Sequence, residues 1–247
     1  MRMKTALYGR IFFGASAVLF GVIALMWHDT DTWQSLSKFW RLPLGTSIGA
    51  FLMLAQIAGG TLLAFSPSAR WGSVVLSTVY GLFSLVCVPG IIAAPTSFLA
   101  YYSFFEQFAM FCGAIAVYSA TGAAAAGSAA LGSAARIGLG ICAIPFTLGQ
   151  IIFLRFTASL VPAWIPPGQM FWAILTTVAF ALAALAILIN VRARLALSLM
   201  TLMLGLFGLL VWVPRLIARP GAHGNWSEFA FTCLIAGAAW MVTENTT

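Results

Sequence analysis

The sequence predicts an all-α, polytopic membrane protein with about eight transmembrane helices in two parallel four-helix repeats. Three observations lead to this prediction. Of the 247 residues, 62% are hydrophobic and only 7% are charged, whereas about a quarter of the residues of a soluble domain are charged. Apolar runs of more than about 18 residues, long enough to cross a bilayer as a helix, recur along the chain. Charged residues and prolines at the ends of these runs recur at a spacing of about 124 residues. A water-soluble globular protein is therefore excluded.

Charged residues, prolines and Gly-Ser clusters divide the apolar sequence into segments of helical length. We predict transmembrane helices at residues 9–27, 44–65, 70–92, 103–120, 136–154, 168–190, 193–213 and 226–243. The basic start resembles a signal peptide, but no convincing cleavage site follows it, so we interpret the first segment as a spanning helix. Residues 121–135 are mostly Gly, Ala and Ser. They are interpreted as a connector between a first half, residues 1–120, and a second half, residues 136–247.

The distribution of basic residues predicts the orientation. An even number of spans places both termini on one side of the membrane. Seven cationic residues fall on that side: Arg2, Lys4, Arg10, Arg70, Arg136, Arg192 and Arg194. Five fall on the other: Lys38, Arg41, Arg155, Arg215 and Arg219. Because cytoplasmic loops carry an excess of Lys and Arg, we predict a multi-pass protein of the cell (inner) membrane with both termini in the cytoplasm.

The partners predicted from charge are lipids rather than nucleic acid. The net charge of +7 comes from basic residues that stand singly at the ends of apolar runs. A nucleic-acid-binding protein instead clusters its basic residues on one face. The predicted environment is therefore the lipid bilayer.

An internal repeat relates the two halves. The matching features are Arg10 with Arg136, Trp40-Arg-Leu-Pro43 with Trp164-Ile-Pro-Pro167, Arg70 with Arg194, Val88-Pro89 with Val213-Pro214, and Glu106 with Glu228. Their offsets are 126, 124, 124, 125 and 122 residues. Because each half contains an even number of spans, the two copies must have the same orientation, which disfavours an inverted-repeat transporter. The alternative is that arginine and proline simply recur where membrane helices end.

The second half carries short motifs that resemble the DoxX-like superfamily of four-helix membrane proteins. They are Arg136-Ile-Gly-Leu-Gly140, Val161-Pro-Ala-Trp-Ile-Pro-Pro167, an Ala/Leu helix before Arg192-x-Arg194, and Asn225-Trp-Ser-Glu-Phe-Ala230. The resemblance covers about 110 residues, with the first half as a diverged copy. It implies the fold, and it implies an association with quinone-coupled thiosulfate oxidation, redox-stress complexes or receptor assembly. It implies no set of catalytic residues.

Two glutamates are the first candidates for a functional site, because ionisable residues at membrane depth are costly. Glu106 and Glu228 both occur near the predicted start of the last helix of their half. Ser103-Phe-Phe-Glu106 and Asn225-Trp-Ser-Glu228 also fit a capping box, in which each glutamate would sit at the third helical position and stabilise its own helix start. The alternative is a carboxylate pair near the non-cytoplasmic face that relays protons or holds a polar headgroup.

Histidines and aspartates are predicted on the same face. His28, Asp29 and Asp31 leave the first helix, and His223 precedes the last one. With the glutamates they offer nitrogen and oxygen ligands, but their spacing matches no metal motif. We therefore interpret them as polar interfacial residues and predict no metal site.

Four further polar residues have two interpretations each. Arg215 and Arg219 are interfacial anchors, or they bind an anionic headgroup or a quinone carbonyl. Gln56 and Gln150 fall within predicted spans, where they form interhelical hydrogen bonds or contact a ligand.

The chain lacks the sequence motifs of hydrolases, ATPases, dinucleotide enzymes and cytochromes, and it predicts no catalytic residue. Our leading hypothesis is a membrane accessory subunit that interacts with quinone or a redox partner complex, without an in-chain redox centre. Its ligand would be a bound quinone or lipid, held at a polar rim that includes Glu106, Glu228, His28 and Arg215. The alternatives are a transporter of a small solute or lipid, and a non-catalytic assembly factor for other membrane proteins.

Overall fold

The computed structural model describes residues 2–27, 43–121 and 127–246. These residues form an all-helical bundle, and no strand occurs among them. The helices are α1 (Arg2–Met26), α2 (Gly45–Ala64), α3 (Ala69–Ala93), α4 (Phe98–Thr121), α5 (Ser128–Ile152), α6 (Leu154–Leu160), α7 (Gln169–Leu188), α8 (Ala193–Phe207), α9 (Val213–Ala218) and α10 (His223–Asn245). A π-helical segment, Gly208–Trp212, joins α8 to α9, so these three pieces form one continuous helical span.

The described part of the chain has the architecture of a multi-pass membrane protein. Seven of its helical spans are long and apolar enough to cross a membrane. The remaining long helix, α4, has 24 residues but contains Glu106 and Gln107, which lower its mean hydropathy. A polar pair at this depth directs attention to the neighbours of α4.

Several predicted boundaries differ from the structure. Helix α4 begins at Phe98, five residues before the predicted start at 103. Helix α5 begins at Ser128, so residues 128–135 are helical rather than part of a connector. Alanine is the best helix former, and this segment is rich in it. The predicted fifth span is also divided, because α5 ends at Ile152 and the short α6 follows.

Each long helix packs against the next one in the chain, and α10 packs against α1. The helices thus form a closed ring in which each packs against two neighbours. In addition, α4 and α10 pack against each other across the middle of this ring. Near the two ends of the chain, the hydroxyl of Thr5 donates a hydrogen bond of 3.1 Å to Oε2 of Glu244. Residues 5 and 244 therefore lie at the same end of the bundle.

Small residues permit the closest helix contacts. A Cβ atom added at Gly113 in α4 would lie 2.4 Å from the Cβ of Ala238 in α10. A Cβ at Gly14 in α1 would lie 2.5 Å from the carbonyl oxygen of Gly60 in α2. Helices in lipid associate through such close packing because the surrounding acyl chains are as apolar as leucine.

Arginines hold helix ends together at the end of the bundle that contains Thr5 and Glu244. A guanidinium nitrogen of Arg10 donates to the hydroxyl of Ser66, just after α2, at 2.9 Å. The guanidinium of Arg136 donates to the carbonyl of Ile187, in the last turn of α7. The last carbonyls of a helix have no partner within it, and a basic side chain satisfies them.

Candidate functional site

A cavity of about 390 Å³ opens between α4, α5, α6, α7, α10 and the span formed by α8, the π segment and α9. Most of its wall is apolar. The aromatic residues that line it are Tyr102, Phe146, Phe153, Phe156, Phe180, Phe207, Trp212 and Phe231. The cavity extends from the end of the bundle opposite Thr5 and Glu244 towards the middle of the helices, where Phe180 and Ile235 line it.

Two carboxylates face this apolar space. Glu106 of α4 and Glu228 of α10 both line the cavity, and the side chain of Glu106 is only 2% exposed. Tyr102 also lines the wall, one helical turn before Glu106, and its hydroxyl lies within electrostatic range of both carboxylates. The tertiary structure thus brings together the two glutamates that were singled out in the sequence.

The capping-box interpretation of these glutamates is wrong. Because α4 begins at Phe98, Ser103 and Glu106 lie inside the helix. The N-cap of α10 is Ala222, so Asn225 and Glu228 are also inside their helix. Neither helix has an acidic residue in its first turn. Both helices start earlier than predicted because the residues before each motif also adopt helical conformation.

The two glutamines have different positions. Nε2 of Gln56 donates to the carbonyl oxygen of Ala17 at 2.9 Å, which joins α2 to α1 away from the cavity. Gln150 lines the cavity, and its Oε1 accepts a hydrogen bond of 3.0 Å from the hydroxyl of Thr177. Gln56 therefore has the interhelical role, whereas Gln150 combines an interhelical bond with a place in the cavity wall.

The π-helical segment contributes a tryptophan to the wall. The indole N–H of Trp212 donates to the hydroxyl oxygen of Thr232 at 3.1 Å, and both residues line the cavity. The guanidinium of Arg215 lies over the Trp212 ring, 5.2 Å from its centroid. Arg215 contacts this wall residue without lining the cavity itself. Single π-helical turns within α-helices occur frequently at functional sites.

The remaining predicted site residues lie outside the cavity or outside the described residues. His223 stacks on Trp27, with 5.2 Å between ring centroids. Arg219 is exposed after α9. His28 and Asp29 are outside the described residues. Within residues 2–27, 43–121 and 127–246, no group of three or more His, Cys, Asp or Glu side chains could hold a metal ion.

Sequence reasoning missed most of the wall. Tyr102 could have been found, because it precedes Glu106 by four residues and therefore shares its helix face. Trp212, Thr232 and the phenylalanines carry no such signal, since they resemble the other apolar residues of their helices. Their common position follows only from the packing of six elements.

The charge and shape of the wall define what the cavity can hold. Two acidic residues and no basic residue occur among the described residues that line it. Its volume falls within the range of small-molecule pockets, and an apolar wall with few polar groups is typical of such sites. A membrane-soluble molecule with a ring and polar substituents fits these features.

Comparison with known proteins leaves the site to be interpreted from its chemistry. No family model matches the chain, and neither a curated protein nor a solved structure matches it significantly.

Proposed function

We propose that the protein is an integral membrane accessory subunit that binds a quinone or quinol in this cavity and works with a redox partner. The observation that carries the proposal is the convergence of Glu106, Glu228 and Tyr102 in an otherwise aromatic and aliphatic cavity. Ionisable groups within a membrane bundle mark ligand or proton pathways by default.

The two parts of the cavity suit the two parts of a quinone. The phenylalanines and Trp212 offer aromatic faces and edges, against which a flat ring packs favourably. The Tyr102 hydroxyl can donate a hydrogen bond to a ring oxygen, and the carboxylates can accept hydrogen bonds from the hydroxyls of the reduced ring. Carboxylates also accept the protons that a quinol releases when it is oxidised. The electrons would pass to a redox centre of the partner.

The resemblance to the DoxX-like superfamily remains part of this proposal. It rests on the short motifs of the second half and implies the same class of ligand. Most of the cavity wall comes from that half, because only Leu99, Tyr102 and Glu106 belong to α4.

We also propose that the chain is a tandem duplication of a four-helix unit. The helix lengths support it: α1 and α5 have 25 residues each, and α2 and α7 have 20 each. Helix α3 has 25 residues and the matching span Ala193–Ala218 has 26, while α4 and α10 have 24 and 23. The starts of these four pairs are offset by 126, 124, 124 and 125 residues.

Packing and side-chain contacts support the duplication as well. The ring of neighbouring helices is unchanged when each helix of the first half is exchanged for its counterpart in the second. Arg10 and Arg136, which match in the sequence, each bind the end of the second helix of their half. A pseudo-twofold axis along the membrane normal, between α4 and α10, would produce both features.

The matching of Glu106 with Glu228 needs a different explanation. These residues are 122 apart, whereas the starts and ends of α4 and α10 are offset by 125 and 124 residues. The glutamates are therefore displaced by two to three residues relative to the repeat. A displacement of two to three residues rotates a side chain by about 200–300° around the helix axis, so the two glutamates do not occupy equivalent positions of the repeat. The cavity accordingly belongs to one half of the pseudo-symmetric bundle.

Quinone binding can be tested by fluorescence quenching in nanodiscs. A short-chain ubiquinone should quench Trp212 saturably, and the Trp212→Phe variant should lose that component. We expect Glu106→Gln and Glu228→Gln to weaken binding of the corresponding quinol, measured by its competition with the ubiquinone, by about tenfold, the effect of losing a hydrogen bond to a charged group. Glu244→Gln is the matched control, because Glu244 bonds Thr5 at the other end of the bundle. Quenching that does not saturate would refute the proposal.

A proton-coupled transporter is the second candidate. Its support is the extent of the cavity, which reaches from one end of the bundle to the middle of α7 and α10 at Phe180 and Ile235. Proteoliposomes that accumulate a solute in response to a pH gradient, and lose this uptake in Glu106→Gln, would favour the transporter. A protein with neither ligand nor flux would instead be an assembly factor.

A further inference from the structure

The polar groups of the cavity provide more hydrogen-bond acceptors than donors. Two donors of the wall are already used within the protein: the indole N–H of Trp212 bonds Thr232, and the hydroxyl of Thr176 bonds the carbonyl oxygen of Trp172 at 2.9 Å. The donors of the wall that remain are the hydroxyls of Tyr102, Thr157 and Thr232 and the amide N–H groups of Gln150. A ligand that fits this cavity must therefore supply hydrogen-bond donors.

The acceptors come from Glu106 and Glu228. An ionised carboxylate is acceptor-only and has about four lone-pair sites on two oxygens. It can therefore bind a ligand hydroxyl in addition to a partner within the protein. Even with one of the two carboxyl groups protonated, acceptor sites still outnumber donors. A buried ligand must donate hydrogen bonds to such a wall, since unsatisfied buried polar groups are costly.

The charge of the wall leads to the same conclusion. Quinone oxygens carry partial negative charge and only accept hydrogen bonds, so two carboxylates repel them. The guanidinium of Arg215 lies over the Trp212 ring, 5.2 Å from its centroid, and Arg215 does not line the cavity, so it offers the ligand oxygens no direct hydrogen bond. A quinol, in contrast, presents two O–H donors, and a hydrogen bond from a hydroxyl to a carboxylate is charge-assisted and strong.

We infer that the cavity binds the reduced quinol in preference to the oxidised quinone, with Glu106 and Glu228 accepting hydrogen bonds from the ligand hydroxyls. The inference rests on the proposed function and specifies which member of the redox couple occupies the site.

The test compares the two members of one redox couple. Duroquinol and duroquinone share a ring and its methyl groups and differ in their hydrogen-bonding oxygens. Their binding to the full-length protein in nanodiscs would be measured by calorimetry without oxygen, after correction for partition into empty nanodiscs. We expect the quinol to bind at least about tenfold more tightly. Equal affinities, or tighter binding of the quinone, would overturn the inference but leave the proposed function standing. Binding of neither compound would refute the proposed function itself.

Variants identify the groups responsible for the preference. Glu106→Gln and Glu228→Gln replace an acceptor by an amide that can donate, so the ratio of quinol to quinone affinity should fall by about tenfold. Tyr102→Phe removes a donor and keeps the ring, so it should preserve or raise the ratio of quinol to quinone affinity. This variant tests the assignment even if the glutamate variants do not fold. Glu244→Gln should leave the ratio unchanged. A ratio that drops in Tyr102→Phe, or is the same in all variants, would contradict the assignment.

Discussion

Gly113 and Ala238 determine how closely α4 approaches α10, the two helices that carry the cavity carboxylates. The missing Cβ of Gly113 would come within 2.4 Å of the Cβ of Ala238, a separation that two carbon atoms cannot adopt. Gly237 stands beside Ala238 and faces Phe13 of α1, whose Cα would lie 2.8 Å from an added Cβ. Adjacent small residues thus allow α10 to pack against α4 and α1 together, and the relative position of Glu106 and Glu228 depends on this contact.

Replacing Gly113 by alanine should therefore destabilise the protein. We expect the free energy of unfolding in detergent micelles to fall by about 1–3 kcal/mol, because the helices must separate to admit the methyl group. Gly81→Ala is the matched control: its added Cβ would meet the nearest atom, on Phe111, at 3.6 Å, an ordinary contact. That variant should be neutral or stabilising, since alanine favours helix. Equal stability of the two variants would show that this contact does not set the helix separation.

The π-helical segment is the clearest difference between the helices that the proposed duplication pairs. The span Ala193–Ala218 contains one residue more than Ala69–Ala93, and the offset between them changes from 124 residues at their starts to 125 at their ends. A π turn holds one more residue than an α turn, so Gly208–Trp212 absorbs the insertion within the helix. In the sequence this change is indistinguishable from a change in loop length.

A single deletion in this segment should be tolerated better than the same deletion in its counterpart. The proposed duplication pairs Leu209 with Leu85, and the two residues are similarly exposed, at 58% and 64%. Deleting Leu209 converts the π turn to an α turn and keeps the orientation of α9. Deleting Leu85 rotates the rest of α3 by about 100° and turns its buried face to lipid.

Thermal unfolding and size-exclusion profiles of the two deletion variants would compare them. We expect the Leu209 deletion to retain a folded monomer, and the Leu85 deletion to lower the midpoint of unfolding or to aggregate. If the Leu209 deletion were the more destabilising of the two, the π turn would not be a one-residue insertion that the helix can lose.

The two halves of the bundle differ in how their interiors are filled. Phe20, Tyr80 and Phe83 are completely buried in the first half. Under the proposed duplication their counterparts are Phe146, Leu204 and Phe207, which line the cavity. The proposed first half is thus a packed core, and the proposed second half provides most of the cavity wall. Ligand sites between the helices of a bundle are common, and a packed partner half provides a rigid wall for this one.

Topology can be tested by cysteine labelling of the whole protein. The background variant replaces Cys87, Cys112, Cys142 and Cys233 by alanine. Single cysteines at Pro67 and Ala129 lie at the end of the bundle with Thr5, and those at Ala163 and Gly221 lie at the other. An impermeant maleimide added to intact cells should label the second pair alone, because the basic residues predict that the first pair is cytoplasmic.

Labelling after permeabilisation is the control for accessibility, since all four positions are exposed. Labelling of the first pair alone would reverse the predicted orientation. Different results within one pair would contradict the even number of spans.

The candidate site was only partly predictable. Glu106, Glu228 and Gln150 stand out as polar residues in apolar sequence, and all three line the cavity. Gln56 stands out equally, yet it bonds Ala17 instead. Polarity therefore identifies the residues that need a partner, but the partner depends on which helix faces meet.

The sequence by itself determined that the protein is helical and crosses the membrane several times, because bilayer thickness requires a minimum apolar length and composition reveals it locally. The location of the cavity was decided by the tertiary structure. In a soluble protein, a surface helix buries its apolar face and exposes its polar face. Lipid is as apolar as a protein core, so both faces of a membrane helix are apolar and composition does not show which face is buried. Contacts between helices that are more than 100 residues apart in the chain bring Trp212 and Tyr102 into one cavity wall. The same contacts determine which phenylalanines line the cavity.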